Sequence, residues 1–460
     1  MNNRIWSLPY YFAWVLVILQ GCGRNESGSI KADLPEVVDF NFHIKPILSD
    51  RCFSCHGPDD KARKGNVRLD EETYAFSRLD SLSDQYILKA RDLKKSELFQ
   101  RISNSNAEER MPPPGSNLNL TEYEIELIKR WIQQGAEWKP HWSFITPAQN
   151  ALPKIRHRDW PQNEIDYFIL HRLEALKIEP SNQATKEKLA RRLSFDLTGL
   201  PPNLETIDAF LNDDSPTAYE QLVDHYLASD AYGERMATEW LDLARYAETN
   251  GIHHDFERNM WPWRDWVIKS FNQNMGYDQF VTWQLAGDLL PDPTYDQQLA
   301  TAFNRNHRTT QECGSLDEEF RVAYVVDRTN TFGKAFLGLT LECAQCHDHK
   351  YDPISQKEYY QLFAFFNQVP EKGVTKSFTG QPAPFLELPI EEINEIRAYI
   401  DQQVENEYAH GSKQDQDKKY KSNWIEEMEA MLQPIMIMHD QDTLRPTYIL
   451  DRGLYDARGE

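Results

Sequence analysis

Two copies of one pattern, Cys52-Phe-Ser-Cys55-His56 and Cys343-Ala-Gln-Cys346-His347, constrain this chain more than anything else in it. Two thiols three residues apart, with a histidine directly behind, suit covalent haem: each thiol forms a thioether to a vinyl group and the imidazole binds the iron. The rival uses of C-x-x-C are a zinc site and a redox dithiol. Zinc normally asks for a second pair nearby, whereas these two pairs stand far apart in the sequence, and a dithiol oxidoreductase asks for a βαβ pattern that is missing. The spacing predicts two covalently bound haem c groups, held by Cys52, Cys55, Cys343 and Cys346, with His56 and His347 on the iron.

The remaining cysteines are Cys22 and Cys313. With four of six thiols committed to haem, a disulfide framework is not expected. Cys22 follows Leu19-Gln20-Gly21, which resembles a bacterial lipobox, behind the apolar run Tyr10–Leu19 and the single basic residue Arg4. That run is shorter than the roughly 20 residues a membrane span needs, so it reads as a signal-peptide core. Cys22 is the candidate lipidation site; a plain secretory signal with a chance cysteine is the alternative. Either way the chain is expected to be exported, periplasmic or at the cell envelope, with a polar tether over 23–35. Lys+Arg 50 against Asp+Glu 72 gives a formal charge of −22, which argues against nucleic acid as a partner.

Residues 36–140 are expected to form a small cytochrome c-like domain. Phe42, Ile44, Ile47 and Leu48 predict a short helix ahead of the first motif, with Pro46 in its first turn. Thr121-Glu-Tyr-Glu124 predicts a capping box, followed by Ile125, Ile128, Trp131 and Ile132 at helical spacing and a stop at Gly135. Between these helices lies Arg110-Met111-Pro112-Pro113-Pro114. Met111 is the candidate sixth ligand of the first haem, because soft sulfur suits iron and prolines keep a loop extended; a surface turn with a core-facing methionine is the alternative.

The linker 141–162 leads to a helical domain over 163–370. Ile165, Phe168, Ile169, Leu173 and Leu176 open it, then Leu189, Leu193 and Leu197, then Met236, Trp240 and Leu243. His253, His254 and Arg264 lie in a tryptophan-rich stretch that could wall a pocket or simply belong to an aromatic core with polar groups outside. His307 is the candidate sixth ligand of the second haem, with a hydrogen-bonded histidine as the alternative. His349 competes with it but stands only two residues past His347. Ser355-Gln-Lys-Glu358 predicts a second capping box, and 371–440 a loop followed by a charged helical hairpin.

Arg51-Cys-Phe-Ser-Cys-His-Gly57 and Arg110-Met-Pro-Pro113 resemble the planctomycete-type cytochrome c domain. Asp196-Leu-Thr-Gly-Leu-Pro-Pro202, Trp240-Leu-Asp-Leu-Ala-Arg-Tyr246, Ala286-Gly-Asp-Leu-Leu290 and Cys343–Pro353 resemble the uncharacterised domain that usually follows it. Arg445-Pro-Thr-Tyr-Ile-Leu450 resembles the opening of a third domain, expected to be cut short over 441–460. The helical patterning and the motifs together predict a mainly α protein: a class-I-like cytochrome c domain, then a larger helical domain with its own C-x-x-C-H. The resemblance implies an exported multi-domain protein with haem binding and electron transfer; with the lipobox-like segment, the expected partners are a redox protein at the cell envelope and the membrane through a lipid anchor. It assigns no substrate and no haem role to Cys313, expected as a buried free thiol. A haem-dependent oxidoreductase working near His253, His254 and Arg264, or a scaffold with structural haem, are the competing readings.

Overall fold

The computed structural model describes residues 34–59, 62–80, 82, 84–253, 255–375, 383–409, 432 and 434–459. The expected signal segment with Cys22, most of the tether, His254 and the second arm of the charged hairpin lie outside the described residues. The chain divides into two compact units, one up to Thr146 and one from Pro147. Among the described residues the structure is mainly α, with a single two-stranded sheet, and no helix is long and apolar enough to cross a membrane.

The first unit holds α1 (Lys45–Arg51), α2 (Phe53–His56), α3 (Glu72–Ala75), α4 (Glu97–Ile102) and α5 (Glu122–Gln134). Pro46 sits in the first turn of α1, where its missing N–H costs nothing. A π-turn, Phe40–Ile44, precedes α1 and rotates the entering chain. Phe40 therefore is buried against Trp131 and Trp138, with ring centroids 5.6 and 4.2 Å away. Phe42, expected on the apolar face, is exposed. Thr121 and Glu124 cap α5 reciprocally, and Gly135 ends it at a φ of 120°. Ile128, Trp131 and Ile132 of α5 meet Ile44, Leu48 and Phe53 in one core that also takes in Cys52. Trp131 keeps its indole N–H satisfied inside that core by donating to the Glu137 carbonyl at 3.1 Å.

The second unit runs α6 (Glu164–Ala175), α7 (Lys186–Thr198), α8 (Leu204–Asn212), α9 (Ala218–Leu227), α10 (Asp230–Leu243), α11 (Trp261–Asn272), α12 (Tyr277–Ala286), α13 (Tyr295–Ala300), α14 (Asp317–Phe332), α15 (Gln356–Phe366) and α16 (Ile390–Ala409). Strands β1 (Phe385–Leu386) and β2 (Ile435–Met436) pair antiparallel, Phe385 opposite Met436. Three cores result. Helices α7 to α9 pack around Phe210 and Leu222. Helices α10 to α13 pack around Trp263, Trp266 and Phe303, with β2 against them. Helices α14 and α15 enclose Val325, Tyr359 and Phe363 together with Leu341 and Ala344 of the second motif. Helix α6 departs from its predicted face: Leu170 is buried, whereas Ile165, Phe168, Ile169 and Leu176 are exposed. Helical spacing identifies a face but not what covers it.

Candidate functional site

The first motif is folded on itself before anything binds to it. The Cys55 and His56 amides both donate to the Cys52 carbonyl, at 3.0 and 2.9 Å, so α2 is a single tight turn that brings the thiols and the imidazole to one end of α1. A Cβ at Gly57 would run into the Phe53 carbonyl, so the chain can leave the motif only through glycine. The following loop returns over it, with Lys64 N–H donating to the Cys55 carbonyl and Leu69 N–H to that of His56, both at 2.8 Å. Cys52 is buried, which pushes its thiol up to about 12 and keeps it as S–H, while Cys55 is half-buried.

His56 Nδ1 lies 3.3 Å from the Val67 carbonyl oxygen. A carbonyl can only accept, so this contact suits a proton on Nδ1, and the Lys64 carbonyl is a second acceptor beside the ring. Burial lowers the pKa of the ring and favours its neutral form. A neutral imidazole with a carbonyl-bound Nδ1–H is the form that binds a metal through Nε2. Met111 hangs on a segment tied to α4, its N–H donating to the Arg101 carbonyl at 3.1 Å. Its side chain is 37% exposed, so it is not core packing.

The second motif is built differently. Glu342–Gln345 form one 3₁₀ turn, whose Ala344 faces the α14–α15 core together with the preceding Leu341. Cys343, Cys346 and His347 are exposed. The turn is tied to α15, since Tyr360 Oη and Gln356 Nε2 donate to the Gln345 carbonyl at 3.0 and 3.1 Å. The C-terminal segment also reaches it: Cys346 Sγ lies 3.2 Å from the Arg452 carbonyl. His347 Nδ1 is 2.8 Å from the Asp348 carbonyl, the same proton placement as at His56, with Nε2 left as acceptor. His349 has the opposite arrangement. It is buried, and its Nδ1 accepts from the amides of Asp352 and Tyr351 at 2.9 and 3.3 Å, so its neutral form carries the proton on Nε2.

His307 is drawn into another structure. It is 1% exposed and stacks on Tyr324 at 4.4 Å. Nδ1 faces the Arg308 carbonyl at 3.0 Å, and Nε2 meets the Arg328 guanidinium at 3.2 Å and a Glu371 carboxylate oxygen at 3.5 Å. The lone pair that a metal would need already accepts from Arg328. Burial lowers His307 to about 4. Glu371, also fully buried, pairs with Arg328 and lies 3.5 Å from Arg305. Burial pushes its carboxyl up, but the two guanidiniums outweigh that and hold it well below the usual carboxylate range. Arg258 closes the group by donating to the carbonyls of His307 and Asn306 at 2.7 and 2.9 Å. Sequence reasoning missed Arg305, Arg328 and Glu371. The one signal was the polar run Asn304–Arg308 continuing an apolar helix.

Two further candidates sit on or beside the loop from Ala247 to Arg258, which Arg258 ties to the His307 group. His253 is exposed on the turn after Gly251, and Arg264 is engaged by Glu248 and Asp265 at 2.8 and 2.9 Å. Cys313, expected to be buried, is exposed, because Glu312–Ser315 form a surface turn with Gly314 at a φ of 98°. Among the described residues no three His, Cys, Asp or Glu side chains cluster so that they could hold a metal ion on their own. Haem fits both motifs by a separate criterion: a thiol pair followed directly by an imidazole whose Nδ1 faces a backbone carbonyl. When bound, haem supplies an iron that exchanges single electrons.

Two known families match parts of the chain. Residues 52–115 match the family described as Planctomycete cytochrome C, and residues 164–371 match one described as a protein of unknown function (DUF1549). The first match begins at Cys52 and contains Met111; the second contains Cys343, Cys346 and His347. No curated protein and no solved structure matches the chain.

Proposed function

This chain is a planctomycete-type cytochrome c domain protein, and hence a cytochrome c-like haem protein; from that premise we propose that it is an exported di-haem c-type cytochrome that transfers electrons at the cell envelope. Cys52 and Cys55 hold the first haem with His56 and Met111 as iron ligands; Cys343 and Cys346 hold the second with His347. The observation that carries the second haem is the proton placement at His347. Like His56, it turns Nδ1 to a backbone carbonyl, and its own Nε2 is left as acceptor, whereas His307 and His349 do not keep that nitrogen available. A signal segment ending at the lipobox-like Leu19–Cys22 supports export with a lipid anchor, and a redox protein of the envelope is the partner class.

The test is expression with a c-haem maturation system, followed by intact mass and a pyridine haemochrome spectrum. Two added haems are expected in the native chain and one in Cys343→Ser/Cys346→Ser. Native protein that keeps its cysteines but gains only one haem removes the second site.

One observation favours a second reading for that site. His307 is spent on Arg328 and Glu371, so the second haem lacks its candidate sixth ligand, and an iron with five ligands has room for a small molecule. A high-spin signal that shifts on adding cyanide, together with peroxide turnover, supports an oxidoreductase. Two low-spin haems support the carrier alone.

A further inference from the structure

A cavity of about 300 Å³ opens in the second unit between α14, α15 and the segment Arg445–Arg458. Its charged lining is unbalanced. Arg321, Arg445 and Arg458 face it with Glu318 as the one carboxylate among the lining residues. Glu318 is shared: both oxygens take Arg321, at 2.8 and 2.9 Å, and one lies 3.5 Å from Arg458. The other partners of these guanidiniums are neutral. Arg321 Nη1 donates to Asn367 Oδ1 at 2.7 Å. Arg445 donates to the carbonyls of Asn367 and Val369 at 2.6 and 3.2 Å and to Gln441 Oε1 at 3.3 Å.

We propose that this cavity is a binding pocket for a small organic oxyanion, whose head is held by Arg321, Arg445 and Arg458 and whose body lies on the apolar wall of Phe363 and Leu450. Three observations carry it. Neutral partners hold Arg445 in place, and Glu318 is the one lining carboxylate set against three guanidiniums, so positive charge is in excess, and planar guanidiniums fixed in this way suit carboxylate, phosphate or sulfate. Burial first and the Arg321 guanidinium second push Arg445 below its ordinary value, and Glu318 and Glu371 offset them only in part. The chain as a whole carries −22, so a local positive excess is not a by-product of composition. The volume is at the small end of ligand pockets, larger than an inorganic ion needs. The segment that builds one wall also touches the second motif through the Arg452 carbonyl, but the pocket stands on its own residues and does not depend on haem.

The test is calorimetric titration of the full chain, at low ionic strength, with inorganic phosphate and with phenyl phosphate. Saturable binding is expected for both, tighter for phenyl phosphate because of its ring. Arg458→Gln should weaken both about tenfold, the usual loss of one charge-assisted contact. The Arg458 side chain is 55% exposed, so this change leaves the fold intact, which circular dichroism checks. Glu318→Gln should act in the opposite direction and tighten both, because it removes the one opposing charge. Absence of saturable binding, or affinities that neither variant moves, would overturn the proposal.

Discussion

His307 and His347 both turn Nδ1 to a backbone carbonyl, and they differ in their surroundings: Nε2 of His307 meets a buried guanidinium, whereas the His347 ring is exposed. At His307 the ring belongs to a buried charge group, and breaking that group should be costly. Arg328→Met should leave Glu371 buried with a weakened set of partners and cost about 3–5 kcal/mol, read from urea denaturation. The same group makes stability depend on pH. His307 is lowered by burial from 6.5 to about 4, so the unfolded chain binds a proton that the folded chain refuses, and stability falls as pH drops through that window. Glu371 is depressed, so its contribution is present above its ordinary value of 4.5 and is lost as pH falls further. Stability should therefore decline from about pH 6.5 downward, and His307→Gln should flatten the upper part of that slope. A variant with an unchanged profile would place the titration elsewhere. Met111 makes a third case. If its thioether binds the first iron, Met111→Ala should lower the potential of one haem and leave the other unmoved in a spectroelectrochemical titration.

At the scale of elements, what could be read in advance was what is local in sequence. The capping boxes at Thr121–Glu124 and Ser355–Glu358 need only four consecutive residues, and both are present in the structure. Ser355→Ala should cost about 1 kcal/mol, because the Glu358 amide loses its acceptor at the start of α15. Thermal unfolding of the full chain measures it. The consequence is larger than the number suggests, since α15 holds the second motif through Tyr360 and Gln356. What could not be read was whatever depends on distant partners. Arg328 and Glu371 are far apart in the chain, and no periodicity marks a charge that will be buried beside another. The oxyanion pocket takes Arg321 from a helix and Arg445 and Arg458 from a segment that reads only as the start of something else. Phe40 rather than Phe42 meets the core because both lie inside a π-turn, whose spacing departs from that of an α-helix.

For the whole molecule, the two motifs sit in two compact units with different degrees of enclosure. The first unit closes its core with its own residues, from Val38 to Ala136, and Cys52 is part of that core. With Trp131, Ile44, Leu48 and Ile132 almost fully buried in it, that core is the reason to expect the unit to fold without its neighbour. The second unit divides its interior into three smaller cores, and its motif is fastened at the rim of one of them by α15 and the C-terminal segment. This asymmetry predicts how the chain comes apart. Residues 34–146 alone, made with a haem-maturation system, should unfold cooperatively and carry one haem by mass. The second unit cut back to residues 147–444 should lose much of its haem, because it lacks the Arg452 and Leu450 carbonyls that meet Cys346 and Gln356. Equal haem loading with and without residues 445–460 would show that α15 alone suffices to present Cys343 and Cys346. A first unit that stays unfolded would show that its core, although closed, needs the rest of the chain.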